Sequence, residues 1–146
     1  VDAIMIFDTW GGLLSGENYE KFSLNYIQKI ISSTYTEGVP VIYYSRSKSN
    51  FDKLKNLDID CIGISSENNL GDMYKFFDEK FAIQGNLNTD ILREDKDTIK
   101  KGVIKTLETF PFETGHVFNL GTGITPDIHP DKVSYLVDQV RELSVK

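Results

Sequence analysis

The clearest guide to the architecture is the stretch AIMIFDTWGG, which runs from Ala3 to Gly12. Its first five residues are apolar without alternation, which is typical of a strand buried on both faces in a parallel sheet. Two polar residues, Asp8 and Thr9, follow directly, and the glycine pair at the end allows a sharp turn. The stretch therefore predicts a buried strand, Ala3 to Phe7, whose carboxyl end carries polar side chains.

Four further segments share this apolar, β-branched and aromatic character. They are Val39 to Ser45, Cys61 to Ser65, Phe81 to Gln84, and His116 to Leu120. Helical patterns separate the five predicted strands, and such alternation indicates parallel strands joined by right-handed crossovers. Two α/β architectures satisfy this pattern: a small open, doubly wound sheet, or about five of the eight units of a (β/α)8 barrel.

The predicted helices carry apolar residues at helical spacing. These stripes are Tyr19, Phe22, Tyr26, Ile27, Ile30 and Ile31; Phe51 and Leu54; Leu70, Met73, Phe76 and Phe77; Ile99, Val103 and Leu107; and Val133, Leu136, Val137 and Val140. The predicted starting residues are Ser15, Ser49, either Asp95 or Asp97, and Pro130, and the predicted end of the first helix is Gly38.

Composition excludes several classes of protein. The 146 residues contain 16 Lys and Arg against 22 Asp and Glu, so neither nucleic acid nor an anionic membrane is the expected main partner. Cys61 is the only cysteine, which excludes a disulfide scaffold and favours a small core residue. No apolar run is long enough to span a membrane, and the first residues do not resemble a targeting leader. Because Val1 opens directly on a strand-like segment, we expect a piece of a longer protein.

Ligands of both architectures bind at the carboxyl ends of the strands, so the residues after each strand are the first candidates. Asp8 is either a carboxylate at the mouth of a pocket or a turn-former. The Thr9 hydroxyl is directed either at a ligand or at the local backbone. Arg46 is the one arginine at a predicted strand end, and its fork suits carboxylates or phosphates unless it is a solvated surface residue.

The segment Gly121-Thr122-Gly123 ends the last predicted strand. Its glycines either let backbone N–H groups approach an anion or form a tight turn. The segment is not a GxGxxG fingerprint, and the next helix begins too late for dinucleotide binding. No metal site is expected, because His116 and His129 have no cysteine or acidic partner at ligand spacing.

Four segments together resemble the C-terminal portion of the uroporphyrinogen decarboxylase family. They are Ile6 to Ser15, Phe22 to Tyr26, Gln84 to Leu87, and Gly115 to Ile124 with Pro126-Asp127, in the family's order and at its spacing. The resemblance implies that residues 1–146 form about the last five βα units of a single (β/α)8 TIM-barrel domain, whose N-terminal part this sequence does not contain.

The family removes the carboxyl groups of the four acetate side chains of uroporphyrinogen III, giving coproporphyrinogen III for haem and chlorophyll. The resemblance implies no metal or other cofactor, a homodimer and a cytoplasmic location. The reaction needs an acid that protonates the pyrrole ring, stabilisation of the resulting cation, and groups that hold carboxylates. The family's aspartate, paired arginines and tyrosine precede the part that this chain matches, so the chain alone is expected to be inactive.

Two family site positions fall within the chain, and both differ from the usual residue. The serine of the family's F-D/E-S segment is Thr9, which keeps the hydroxyl. The histidine of its N-L-G-H-G segment is Thr122, which loses an imidazole. Thr9 and Thr122 are thus the expected catalytic positions. The expected substrate-binding residues are Phe7, Asp8, Arg46, Asn119, Gly121 and Gly123.

Two other functions are consistent with these residues. A binding or regulatory protein on this fold would explain Thr122 and the pair Ser65-Ser66, which stands where the family usually has aspartate and tryptophan. Cobamide-dependent methyltransferases share the barrel but bind zinc through His-x-Cys and a later cysteine. Neither the segment YYS at 43–45 nor the segment HVF at 116–118 supplies that cysteine.

Overall fold

The computed structural model describes residues 1–33, 38–46, 50–111 and 115–144, and its centre is a sheet of five parallel strands. The strands are β1 (Ile4–Asp8), β2 (Val41–Ser45), β3 (Cys61–Gly63), β4 (Ala82–Leu87) and β5 (His116–Leu120). They lie in the order β1-β2-β3-β4-β5, each parallel to the next. A doubly wound sheet reverses its order at a switch point, whereas a barrel keeps neighbours consecutive, so the barrel-type arrangement is confirmed.

Helices alternate with the strands, as the pattern predicts. They are α1 (Gly16–Tyr19), a π-helical turn (Glu20–Leu24), α2 (Asn25–Ser33), α3 (Phe51–Leu54), α4 (Leu70–Phe76), α5 (Lys96–Glu108) and α6 (Pro130–Leu143). Two 3₁₀ turns, Gly11–Leu13 and Thr89–Arg93, follow β1 and β4. Strand β4 extends past its predicted end to Leu87, because β5 pairs with Gly85 and Asn86 despite the low strand propensity of these two residues.

Helix starts follow the predicted residues in three places, the first of which is Ser15, the N-cap residue of α1. The carboxylate of Asp95 accepts a hydrogen bond from the N–H of Thr98 at 2.8 Å, so α5 is capped by Asp95 and not by Asp97. Pro130 is the first residue of α6, as predicted. The predicted start at Ser49 lies outside the described residues.

The first helical segment begins after Ser15 and is described to Ser33. Its predicted end, Gly38, has φ +81°; residues 34–37, which precede it, lie outside the described part. Its apolar stripe is only partly buried. The buried members are Tyr19, Ile27 and Ile31, and the exposed members are Phe22, Tyr26 and Ile30, at 60%, 59% and 47% exposure. The predicted stripe is therefore wider than the side of the helical segment that packs on the core.

The sheet is strongly curved, so its first and last strands approach each other across the concave face. The hydroxyl of Tyr44 in β2 donates to the carbonyl of Gly121, just beyond β5, at 3.0 Å. The side-chain amide of Gln84 in β4 lies 4.0 Å from the sulfur of Met5 in β1. These contacts turn the carboxyl ends of all five strands toward one shared region.

Candidate active site

Two adjoining cavities open at the carboxyl ends of the strands, where a barrel holds its ligand. The first, of about 440 Å³, lies between the turn after β1 and the loop after β3. The second, of about 480 Å³, lies on the concave face between β1 and the loop after β5. Three side chains line both cavities: Thr9, Arg46 and Thr122. The structure thus brings together three residues that the sequence placed at the ends of three different strands.

Strand register explains this meeting. Strands β1 and β2 pair in parallel with Asp8 opposite Ser45, so Thr9 and Arg46 are the next residues of neighbouring strands. Asn119 in β5 pairs with Asn86 in β4 and lines the second cavity. The other predicted residues that line the second cavity are Phe7, Gly121 and Gly123.

Asp8 is the predicted binding residue that the structure places elsewhere. Its carboxylate accepts hydrogen bonds from the N–H of Gly11 at 3.0 Å, the Ser23 hydroxyl at 2.7 Å and the Tyr43 hydroxyl at 2.7 Å. Side chains alternate along a strand, so Thr9 faces the cavities while Asp8 faces the helices. Asp8 therefore holds the turn after β1 and the first helical segment against the sheet.

A buried tyrosine pair supports Asp8 from behind. Tyr43 is fully buried, and its hydroxyl lies 2.9 Å from the hydroxyl of Tyr19, which is also fully buried. Burial raises the pKa of Tyr19 to about 12 and raises the pKa of Tyr43 further. Both hydroxyls are therefore protonated at any ordinary pH. Tyr43 donates to the Asp8 carboxylate, so the oxygen of Tyr43 is left to accept from the hydroxyl of Tyr19.

The loop after β5 carries Thr122 and is held at its first residue. The N–H of Gly121 donates to the Leu87 carbonyl at 2.8 Å, while the Gly121 carbonyl accepts from Tyr44. The Gly121 amide is thus already used within the protein, which favours the tight turn among the two predicted roles of this segment. Gly121 also permits a close approach, because a Cβ added there would lie 2.5 Å from the backbone nitrogen of Ser66.

Gly121→Ala is expected to destabilise the fold by about 1–3 kcal/mol, because the added methyl group meets backbone rather than a movable side chain. Urea unfolding followed by circular dichroism measures the change. Gly123→Ala is the matched control: it lies two residues away in the same loop, and its added Cβ meets nothing within 4 Å. Equal destabilisation by the two variants would contradict the close approach at Gly121.

A second anchor holds the far end of this loop. Arg93, in the 3₁₀ turn after β4, donates to the Asp127 carboxylate at 2.8 Å and to the Thr125 hydroxyl at 2.9 Å, and also contacts Asp90. The hydrogen bond from Arg93 is the main cause that lowers the pKa of Asp127 to about 2. All these groups are exposed, so the anchor is weakened by salt.

The Asp127 anchor is expected to be lost on acidification. Because the pKa of Asp127 is lower in the folded protein than its usual 3.8, the ion pair contributes fully above about pH 4 and disappears as pH falls toward 2. A carboxyl-carbon NMR titration of Asp127 measures this pKa. Arg93→Gln should return it toward 3.8, and an unchanged value in that variant would contradict the assignment to Arg93.

Several cavity residues lie outside the predicted catalytic and binding set. Trp10, exposed at 72%, and Glu67 line the first cavity, and Tyr44 lines the second. Among the described lining residues, Arg46 is the one cation and Glu67 the one anion. Burial raises the pKa of Tyr44, while the charge of Arg46 partly opposes that rise. The position of Trp10 and Glu67 directly after strands was the signal available in the sequence.

Other titratable groups lie away from the cavities. Cys61 is buried, and burial raises the pKa of its thiol to about 12. A ring nitrogen of His116 lies 2.9 Å from the Gly85 carbonyl, and burial lowers the pKa of the imidazole. His129 is the N-cap residue of α6.

In the described part of the chain, His, Cys, Asp and Glu form no group of three or more that is arranged to hold a metal ion. No helix among the described residues is long and apolar enough to cross a membrane.

Consecutive parallel strands and alternating helices define a (β/α)8-barrel type of α/β protein, and its two cavities lie at the carboxyl ends of the strands, where such barrels bind ligands. The family model for uroporphyrinogen decarboxylase matches residues 1–143. The chain belongs to the uroporphyrinogen decarboxylase family.

Individual relatives agree with this assignment. The chain is 37% identical to a uroporphyrinogen decarboxylase of Legionella pneumophila, 38% identical to that of Ruthia magnifica and 36% identical to that of Pseudomonas putida, over 99% of its length in each case. It spans 42–43% of the length of these relatives. A solved methyltransferase from Methanosarcina mazei shares the fold, with a TM-score of 0.79 and 19% identity over 97% of this chain and 42% of that one.

Proposed function

We propose that this chain forms part of the substrate site of a uroporphyrinogen decarboxylase. The observation that carries the proposal is the meeting of Thr9, Arg46 and Thr122 at two adjoining cavities, in a chain 36–38% identical to relatives of that name. The substrate is an uroporphyrinogen, whose acetate side chains lose carbon dioxide one after another.

Each turnover converts one ring acetate and one proton into a methyl group and carbon dioxide. The proton first adds to the ring carbon next to the one that bears the acetate, so that positive charge reaches the bearing carbon, which accepts the electron pair of the breaking carbon–carbon bond. A proton then adds to the exocyclic methylene carbon so formed and the first proton leaves the ring, which gives the methyl group with one proton consumed in total. Arg46 supplies a donor fork for a substrate carboxylate, and the Thr9 hydroxyl lies beside it. Neither threonine is an acid strong enough to protonate a pyrrole, and by the resemblance we assign the proton donor to the part of the relatives' length that this chain does not span.

Two assays test the proposal. In the first, the 146-residue chain is titrated with uroporphyrin III, the stable oxidised form of the substrate, and porphyrin fluorescence reports binding. In the second, residues 1–146 replace the matching part of the Legionella pneumophila relative, and the hybrid receives uroporphyrinogen III. We expect binding by the chain, coproporphyrinogen from the hybrid, and no turnover by the chain alone.

The outcomes are distinct. A chain that binds no uroporphyrin and a folded hybrid that releases no carbon dioxide would overturn the proposal. Turnover by the chain alone would contradict the statement that its acid lies elsewhere. Sedimentation of the same chain tests the predicted homodimer, and fractionation of cells that make the complete protein tests the predicted cytoplasmic location.

A second candidate is a binding protein that uses the same cavities without chemistry. It is favoured by Thr122, which offers no titratable group near neutral pH, and by Glu67, which adds a negative charge where carboxylates would bind. Uroporphyrin binding by the chain together with a folded but inactive hybrid would select this function.

A further inference from the structure

A buried hydroxyl outside the proposed site chemistry lies directly behind Thr122. Thr89 is the first residue of the 3₁₀ turn Thr89–Arg93 and is only 5% exposed. Its hydroxyl oxygen lies 2.9 Å from the carbonyl oxygen of Thr122 and 2.9 Å from the hydroxyl oxygen of Thr122. Thr89 is not among the described lining residues of either cavity, whereas Thr122 lines both.

The two contacts leave one arrangement of the hydroxyl protons. A carbonyl oxygen only accepts, so the Thr89 hydroxyl donates its single proton to the Thr122 carbonyl. The contact between the two hydroxyls is then a hydrogen bond only if the Thr122 hydroxyl donates to Thr89. The proton of Thr122 is thereby directed away from the cavity, and its oxygen lone pairs remain for a ligand.

We infer that Thr89 makes Thr122 a hydrogen-bond acceptor toward the cavity, so that Thr122 takes an N–H or O–H group of the ligand and not an ionised carboxylate. Thr89 acts through Thr122 and is therefore a positioning residue. The inference deepens the proposed function and rests on it for the identity of the ligand.

Arg46 and Thr122 would then bind different chemical groups of the same ligand. Arg46 carries donors and no acceptor, so it takes carboxylates. Thr122, with its proton committed to Thr89, takes a donor. A tetrapyrrole offers both kinds of group, since its ring nitrogens carry N–H groups and its periphery carries carboxylates. The Thr9 hydroxyl has no partner among the described residues and is able to serve either group.

The first test needs no ligand. Three-bond NMR couplings to the Thr122 methyl carbon report whether its side chain keeps one rotamer. We expect a single rotamer in the unmodified chain and in Thr89→Ser, which keeps the hydroxyl, and averaging between rotamers in Thr89→Val, which has the same shape without it. A single unchanged rotamer in Thr89→Val would overturn the inference.

The second test compares two porphyrins on the 146-residue chain. Uroporphyrin carries acetate and propionate side chains, whereas coproporphyrin has methyl groups in place of the acetates, and both have the same ring nitrogens. In Thr89→Val the freed Thr122 proton can donate to a carboxylate. The preference for uroporphyrin over coproporphyrin should therefore rise about three- to tenfold, the size expected of one hydrogen bond.

Controls separate this effect from general loosening. Thr89→Ser should keep the preference of the unmodified chain, and so should Thr106→Val, which removes another buried threonine hydroxyl far from the cavities, in α5. If the role of Thr89 were merely structural, Thr89→Val would bind both porphyrins more weakly by the same factor. An unchanged preference in Thr89→Val would overturn the inference. If the unmodified chain binds neither porphyrin, the ligand assignment fails and the hybrid assay decides the proposed function, while the rotamer measurement still decides whether Thr89 orients Thr122.

Discussion

Asp8→Ala should lower the free energy of unfolding of the chain by about 2–4 kcal/mol, because three donors lose a charged acceptor at once. The largest part of this loss comes from the buried Tyr43 hydroxyl, which would have no acceptor in place of Asp8. No water reaches this hydroxyl, and Tyr19 is its one other described partner. Urea unfolding at pH 7, followed by both circular dichroism and tyrosine fluorescence, measures the change.

Two variants sharpen this prediction. Asp8→Asn keeps one acceptor oxygen and should cost less than Asp8→Ala. In a Tyr43→Phe background the cost of Asp8→Ala should shrink, because the buried donor is already gone. Asp138→Ala, at an exposed position of α6, is the control for loss of an acidic side chain. A change below about 0.5 kcal/mol on Asp8→Ala, the level of an ordinary surface substitution, would contradict the structural role of this carboxylate.

Arg46→Ala should weaken uroporphyrin binding by about ten- to a hundredfold, because the described cavity lining then has no cation to meet carboxylates. Porphyrin fluorescence titration of the chain measures the dissociation constant. The dissociation constant of Arg46→Lys should lie between those of the unmodified chain and of Arg46→Ala, since an ammonium keeps the charge but not the planar fork. The loss should also be smaller at high salt, because Arg46 is exposed.

Arg141→Ala is the matched control for Arg46→Ala, since Arg141 is an exposed arginine in α6 that lines neither cavity. Its removal should leave the dissociation constant within about twofold of the value for the unmodified chain, a smaller change than the loss of a typical hydrogen bond would cause. Equal losses from the two arginines would indicate general charge attraction and would contradict a specific contact at Arg46.

Local patterns were sufficient for the strands and helices but left the architecture open between an open sheet and a barrel. Apolar runs of strand length, alternating with stripes at helical spacing, predicted the five strands, and Ser15, Asp95 and Pro130 marked helix starts correctly. The resemblance to the uroporphyrinogen decarboxylase family favoured the barrel, whose consecutive strand order the structure has. The rule that ligands bind at the carboxyl ends of parallel strands then placed Thr9, Arg46 and Thr122 at one site. The strand and helix predictions are confirmed because each depends on neighbours within a few residues, whereas the roles assigned to Thr9, Arg46 and Thr122 stay predictions.

Contacts between distant parts of the chain were beyond such reasoning. The sequence left open whether Asp8 faces a pocket or the protein; its partner Tyr43 lies 35 residues away, and that contact turns the carboxylate toward the helices. Tyr44 reaches Gly121 over 77 residues, and Thr89 reaches Thr122 over 33. The backbone pattern of a strand states which residues share a face, but the orientation of a hydroxyl proton or a carboxylate depends on the groups that the folded chain brings within 3 Å. The order of strands and the place of the site therefore follow from the sequence, whereas the direction in which Asp8 and Thr122 offer their hydrogen bonds follows from packing.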